Sequence, residues 1–583
     1  MRSSSARKLD SYQAVSQTGG SSWYGVAAVA LAAALFLLRL GARALWASEG
    51  RWAEIVREML LSSNYFWPTI NGTVYFDKPL LSYWFILGAT HLTGGLNETA
   101  ARLPSAISGV AGVVLIIMLG RRLYDRTTGV WAGIILATSF SYVFYSRTAS
   151  ADIETTAGVL AALLLFVCNR QRPNGWWVVG LWLVMALTSL TKGLMGFALP
   201  PFILGLYSLL GEGAGKAYQR LASGPAGARW SWIRQRFDWL LNFKTPIAII
   251  AAGTVYLAPF AISQSRAHSD AGLYMVFREN VVRFFAPFDH RGPVYLYLYV
   301  LFALMVPWSA FIPAALLQMH RQARSAAQRA LADADVFALS YFWGTLLFFT
   351  LSRSRRSYYL LPILPASALV VGRLFAQRAE SLWAPARRLV NLGYALLSVG
   401  AIGVGIAFLM PAAMRPGWFS LLPPSPARLI FAGGWLIVLA TILYAWQRPT
   451  VRTMGVSTVV MAYLGMFFLF IIAMPRAETY RHERSFARAV RTNVATHPSR
   501  LAFFRIWGPG LVYYLSMERP IPLFNTTEQV ASFAHREGGA WVITRAKDAQ
   551  DLKMDKQIRA GEPRDPWDPP SEQGNRYVLV KID

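Results

Sequence analysis

The sequence predicts a polytopic α-helical membrane protein of about thirteen transmembrane helices with a small C-terminal external α/β domain, and three observations carry that reading. Hydrophobic residues make up 55% of the 583 residues and charged residues only 15%, against roughly 25% charge in soluble proteins. The apolar residues fall into repeated runs of membrane-spanning length. The 57 Lys and Arg against 30 Asp and Glu, a net charge of +27, punctuate those runs instead of forming a basic face. That pattern belongs to membrane topology and not to a nucleic-acid binder. Cys168 stands alone, which excludes a disulfide framework within the chain.

Taken in order, residues 1–22 form a cytoplasmic tail whose Arg2, Arg7 and Lys8 orient the first run, Trp23 to Trp46, as a signal anchor. Residues 23–474 form the membrane domain, with residues 46–102 as its first external loop. Within that loop Trp52, Ile55, Val56, Met59 and Leu60 recur on one face of a helix lying on the membrane. Pro79 to Gly94 is apolar but short. Arg121, Arg122 and Arg126 mark the following turn as cytoplasmic. Leu103 to Gly120 therefore crosses inward, and Pro79 to Gly94 is a half-buried external helix.

The remaining spans alternate: 129–145, one that Asp152 starts and that leads in to Arg170 and Arg172, then 176–190, 194–210, 246–262, 295–319, 336–351, 359–375, 389–410, 429–446 and 454–474. Gly211 to Lys244 is a basic cytoplasmic loop. Residues 475–583 turn polar and form the external domain, with strands expected at 501–506, 511–515, 541–544 and 577–580.

The chemistry is signalled by a breach of the topology rule. Arg353, Arg355 and Arg356 share one short loop that the alternation puts outside, where Lys and Arg are normally avoided. Arginine binds phosphate bidentately and keeps its charge at a membrane boundary. The loop therefore suits a lipid-linked phosphate, or else anionic headgroups or snorkelling. Arg51, Lys78, Arg278, Arg283 and Arg291 gather on the same side with Glu49, Asp77, Asp152 and Glu279. A transporter would concentrate charged or broken helices near the midplane, whereas these candidates sit at helix ends.

Several segments resemble a family. Glu49-Gly50-Arg51-Trp52-Ala53-Glu54-Ile55-Val56-Arg57-Glu58-Met59, Tyr75-Phe76-Asp77-Lys78-Pro79 and Tyr83-Trp84 look like the first external loop of the aminoarabinose transferases. These belong to the C-type polyprenyl-phosphate-sugar glycosyltransferases, with the protein O-mannosyltransferases as relatives. Ala101-Arg102-Leu103-Pro104-Ser105, Leu190-Thr191-Lys192-Gly193, Glu279-Asn280 with Arg283-Phe284, His290-Arg291-Gly292-Pro293, and Ser354-Arg355 followed by Tyr359 and Leu361-Pro362 are similar to the same group.

The resemblance implies C-type glycosyltransferase architecture. It also implies a polyprenyl (undecaprenyl) phosphate sugar donor and an envelope acceptor such as lipid A, at the periplasmic face of a bacterial inner membrane. By the same resemblance Arg51, Lys78 and Arg355 with Tyr359 hold the carrier phosphate, and Asp152 matches the second acidic position. The family's first loop opens with Asp-Glu, where this chain has Ser48-Glu49. Either Glu49 substitutes, or the reaction needs no strong base, or the acceptor differs.

An acceptor phosphate attacks an anomeric carbon without first losing a proton, whereas a protein hydroxyl benefits from a base. Asp77 and His268 lie in the two major outer loops, where some relatives share a divalent ion, though two scattered ligands do not define a site. No cofactor is otherwise implied. Transfer to a protein or polysaccharide, lipid or sugar transport, and a noncatalytic scaffold are the rival readings.

Overall fold

The protein is described from a computed structural model covering residues 23–172, 175–211, 225–241, 243–267, 270–286, 292–324, 329–410, 426–477, 481–552, 556–562 and 573–582. The chain divides into two compact units. The first comprises residues 1–38 and 105–473, the second residues 39–104 and 474–583.

Helices build the first unit because its long apolar runs satisfy every backbone polar group internally, the condition for crossing hydrocarbon. Among the described residues seven helices are long and apolar enough to cross a membrane, or up to nine if each of two bent pairs is one span. Trp23–Leu37, Trp177–Lys192, Met195–Leu210 and Ile363–Ala376 are apolar but shorter. Each of the thirteen expected spans contains a helix, yet length and composition support only seven to nine as full crossings.

The two bends show how broken helices are tolerated. The expected span at 295–319 is instead Leu296–Leu304 and Trp308–Arg324, meeting at 115°, and Arg126–Ala137 meets Phe140–Ser146 at 66°. Pro307 has no N–H to continue a helix. The two breaks satisfy one another: the Phe140 N–H donates to the Val306 carbonyl at 2.9 Å, and the Trp308 indole donates to the Thr138 hydroxyl at 2.9 Å. Trp308 is fully buried, so these bonds remove polar groups that hydrocarbon would penalise.

The second unit joins residues 39–104 to residues 474–583. Helix Glu49–Ser62 buries Trp52, Ala53, Ile55, Val56 and Met59, as its period predicts, together with Glu49 and Glu54. It packs against Leu81–Thr93 and against Pro509–Leu515. At the second crossing a Cβ on Gly50 would lie 2.3 Å from the Gly510 Cα, so only glycine permits that approach. A short hairpin, β1 (Thr69–Ile70) and β2 (Thr73–Val74), turns through Asn71 and Gly72, both at positive φ. The Asn71 amide exchanges two 2.8 Å hydrogen bonds with the Ile521 backbone.

The C-terminal segment carries five strands: β3 (Leu501–Phe504), β4 (Leu523–Phe524), β5 (Ala540–Arg545), β6 (Lys556–Gly561) and β7 (Tyr577–Ile582). They form one sheet in the order β4-β3-β5-β7-β6. β3 pairs parallel with β4 and β5, and β7 pairs antiparallel with β5 and β6. Helix Thr527–Glu537 closes over it, started by a Thr526–Gln529 capping box and stopped by Gly538 at φ 67°. Its Val530 and Phe533 pack with Phe504, Val542 and Val580.

Residues 511–515, expected as a strand, belong instead to helix Pro509–Leu515. Pro509 opens that helix, and a short run buried on all sides carries no periodicity to separate helix from strand.

Candidate functional site

In the first unit the site begins where two helices end. Asp152 is the first residue of helix Asp152–Asn169 and Lys192 the last of Trp177–Lys192. An anion at a helix N-terminus and a cation at a C-terminus both complement the helix dipoles, and the two side chains form an ion pair. The helices are tied beside it by a 2.8 Å hydrogen bond between the Thr155 and Thr191 hydroxyls.

The Lys192 ammonium lies 5.1 Å from the Tyr358 ring centroid and 5.2 Å from that of Tyr359, within cation–π range of both. The Tyr145 ring lies beside Tyr358, tilted at 42° with centroids 6.3 Å apart. Gly193, at φ 123°, leaves room for Asn280, whose side-chain oxygen accepts from the Leu194 N–H at 2.7 Å. Motifs separated in sequence by more than 80 residues therefore meet at Lys192.

The arginine loop divides its labour. Arg353 is exposed, and its backbone N–H donates to the Phe284 carbonyl at 3.1 Å. Arg355 spends both terminal nitrogens on backbone carbonyls, Gly292 and Thr350, each at 2.9 Å. Exposed Arg356 donates to the Tyr358 hydroxyl at 3.3 Å. Arg283 pairs with Glu279 one turn away. Asp152, Lys192, Arg356 and Tyr359 thus lie in one cluster, while Arg355 braces the loop that carries it.

The second unit holds the remaining candidates. Asp77 binds Arg51 at 2.6 Å and Lys78 at 2.9 Å, one carboxylate between two cations. Arg51 also donates to the Tyr75 hydroxyl at 3.2 Å. Glu49 is buried, and both its oxygens accept from Arg102, at 2.7 and 2.8 Å. The Trp46 N–H adds a third bond at 3.1 Å, and Arg481 stands 3.9 Å away. Ser48 is exposed at the helix N-cap, and its side chain makes no cap hydrogen bond. Glu54 is buried beneath the same helix with both oxygens on Arg57 at 2.7 Å.

Arg291 and His268 lie outside the described residues. Among the described residues no group of three or more His, Cys, Asp or Glu is placed to hold a metal ion. The Asp77 carboxylate is already neutralised by two cations, a poor donor set for a divalent ion. Sequence reasoning gave no role to Lys192 or Arg102. Each stood inside a quoted motif, and a basic residue ending an apolar run before glycine was the available signal.

Residues 77–223 match the family described as dolichyl-phosphate-mannose-protein mannosyltransferase. The fold matches the crystal structure of ArnT from Cupriavidus metallidurans bound to undecaprenyl phosphate, with a TM-score of 0.70 at 20% identity, over 96% of this chain and 98% of that one. The fold is therefore that of the ArnT structure.

In sequence, the chain is 26% identical over 94% of its length to an undecaprenyl phosphate-alpha-4-amino-4-deoxy-L-arabinose arabinosyl transferase of Pseudomonas fluorescens, covering 90% of that protein. It is 27% identical to the Erwinia tasmaniensis transferase of that name over 63% of this chain, a match spanning 62% of the Erwinia protein. The chain is similar in sequence to these aminoarabinose transferases.

Proposed function

We propose that the chain transfers a sugar, with inversion, from an undecaprenyl-phosphate donor to an envelope acceptor such as lipid A, at the periplasmic face of a bacterial inner membrane. The observation that carries this is the cluster of Lys192, Asp152, Arg356 and two tyrosines at the helix ends that the charge pattern puts outside. Lys192 and Arg356 hold the donor phosphate. As the bond from the anomeric carbon to the phosphate oxygen breaks, that oxygen takes the electron pair, and the two cations stabilise the growing charge. Asp152 orients Lys192 through their ion pair. Arg51 and Lys78, sharing Asp77, retain one net positive charge in the second unit for an anionic group of the substrates.

An acceptor phosphate oxygen forms the new bond to the anomeric carbon as the carrier phosphate leaves. It arrives ionised, so the step needs no side-chain base. That suits Ser48 at the position where the family carries aspartate. A protein acceptor is the second reading, favoured by the mannosyltransferase match over residues 77–223.

The test is incubation of purified protein in lipid nanodiscs with radiolabelled undecaprenyl-phosphate aminoarabinose, offering lipid A, dephosphorylated lipid A or an acceptor protein. Label on lipid A but not on its dephosphorylated form supports the proposal. Label on protein alone selects the second reading. Label on neither, with intact donor, refutes both.

A further inference from the structure

Lys192 ends helix Trp177–Lys192, and Gly193 and Leu194 join it to helix Met195–Leu210. A helix start leaves backbone N–H groups that need partners, and Leu194, at the N-cap, offers no capping side chain. Asn280 supplies the partner: its Oδ1 accepts from the Leu194 N–H at 2.7 Å. Gly193 makes that approach possible. Its φ of 123° favours glycine, and a Cβ there would run into Oδ1. The other end of the amide is fixed as well, because Nδ2 donates to the Val276 carbonyl at 2.7 Å. A donor facing Oδ1 and an acceptor facing Nδ2 leave the amide a single orientation.

The segment that carries Asn280 also reaches the arginine loop. It runs from Ala271 to Phe285 through a π-helical turn, Phe277–Val282, a local insertion that is frequent at functional sites. The Glu279–Arg283 pair one turn apart braces it. One turn beyond Asn280 the Phe284 carbonyl accepts from the Arg353 N–H at 3.1 Å, and the Phe284 ring lies 5.7 Å from that of Phe348. One short segment therefore grips both the turn after Lys192 and the loop that brings Arg356, Tyr358 and Tyr359. Those two parts of the site come from stretches more than 160 residues apart.

We propose that Asn280 is a positioning residue for Lys192: from the outer segment it holds the Gly193–Leu194 turn, and so sets the ammonium where the leaving phosphate needs it beside Arg356. This rests on the reading of Lys192 as a ligand of the donor phosphate. Asn280 spends its amide on the protein backbone, so its effect passes through Leu194 and Gly193. Without the bond the turn relaxes, and a displacement of about 1 Å in a reacting group costs about 10²-fold in rate. Arg356 still receives the donor, so binding suffers less than the chemical step.

The test is a double-mutant cycle on the full chain in lipid nanodiscs. It reads initial rates of label transfer from radiolabelled undecaprenyl-phosphate aminoarabinose to lipid A, corrected for the folded fraction by near-UV circular dichroism. Asn280→Ala should lower kcat about 10- to 100-fold, with donor KM changed by less than about threefold. Asn280→Asp keeps the acceptor for Leu194 and loses the donor to Val276, and should retain more of the rate. In a Lys192→Met background the added Asn280→Ala should cost less than about twofold, since the group it positions is gone. An equal loss in both backgrounds, a loss confined to KM, or a wild-type rate in Asn280→Ala overturns the proposal. Should Asn280→Ala not fold, Asn280→Asp in the two backgrounds decides by the same criterion. No transfer by wild type, or full transfer by Lys192→Met, refutes the reading of the site and this proposal with it. A loss in Lys192→Met beside a wild-type rate in Asn280→Ala refutes this proposal alone.

Discussion

Removing Arg102 should unfold the second unit before it alters the chemistry. Its guanidinium is 1% exposed and makes five hydrogen bonds: two to Glu49, and one each to the carbonyls of Leu40, Arg43 and Ala44, at 2.7–3.0 Å. Arg102→Met leaves the Glu49 carboxylate buried without its main partner, and Arg481 at 3.9 Å is too distant to replace it. Breaking such a buried pair costs about 3–5 kcal/mol, which lowers the melting temperature of a unit of this size by roughly 6–20 °C.

Deleting both charges is gentler, because no uncompensated ion remains. Glu49→Leu with Arg102→Met should therefore melt above Arg102→Met alone. The assay is the near-UV circular dichroism melt of nanodisc-embedded protein beside initial transfer rates. The Glu49→Gln variant should lose activity only in proportion to its loss of folded protein. Arg102→Met melting within about 1 °C of wild type would refute the reasoning. So would Glu49→Gln that folds normally yet transfers no sugar, because Glu49 would then act in the reaction itself.

Lys192→Met should lower kcat by about 10²–10³ with little change in melting, the scale of removing one charge stabiliser from a transition state, whereas Lys192→Arg should recover part of the rate. Gly50→Val should destabilise the second unit by about 1–3 kcal/mol, the cost of overpacking, because its Cβ meets the Gly510 backbone and not a movable side chain; chemical denaturation measures it. Burial, aided by Glu562 and opposed by Arg481, pushes the Glu483 carboxyl up from 4.5 to about 7. The folded state therefore binds this proton more tightly. The stabilisation is full below pH 4.5 and is lost as pH rises towards about 7. Melting temperatures across that window should fall in wild type and flatten in Glu483→Gln.

The helices were legible because apolar length and the side of the basic residues are written along the chain. Every expected span meets a helix, but the bends at Thr138 and Pro307 were not visible, since an apolar run looks alike whether straight or broken. The strands at 501, 541 and 577 showed in their β-branched and aromatic composition. Residues 511–515 were misread because a fully buried run has no period.

In the Lys192 cluster, Arg356 was singled out by lying in a basic loop that the alternation of spans puts outside, and Tyr359 by resemblance to a family motif. Lys192 looked like an ordinary helix-ending cation. Its two tyrosine rings come from a segment more than 160 residues later, a proximity that no local pattern encodes. For the same reason the contact of Gly50 with Gly510 left no trace in composition.

The second unit is assembled from residues 39–104 and 474–583, and that discontinuity imposes an order on biosynthesis. About 370 residues of membrane helices separate its halves, which at 5–20 residues per second means roughly 20–70 s between the emergence of one and the other. Throughout that interval the Gly50 face of helix Glu49–Ser62 lacks its helical cover from the tail. The Glu49–Arg102 pair, by contrast, lies wholly within the early half and is available to hold that loop in shape while it waits. A ribosome that stalls before residue 474 would leave this apolar face uncovered, a natural mark for the proteases that clear unfinished membrane proteins.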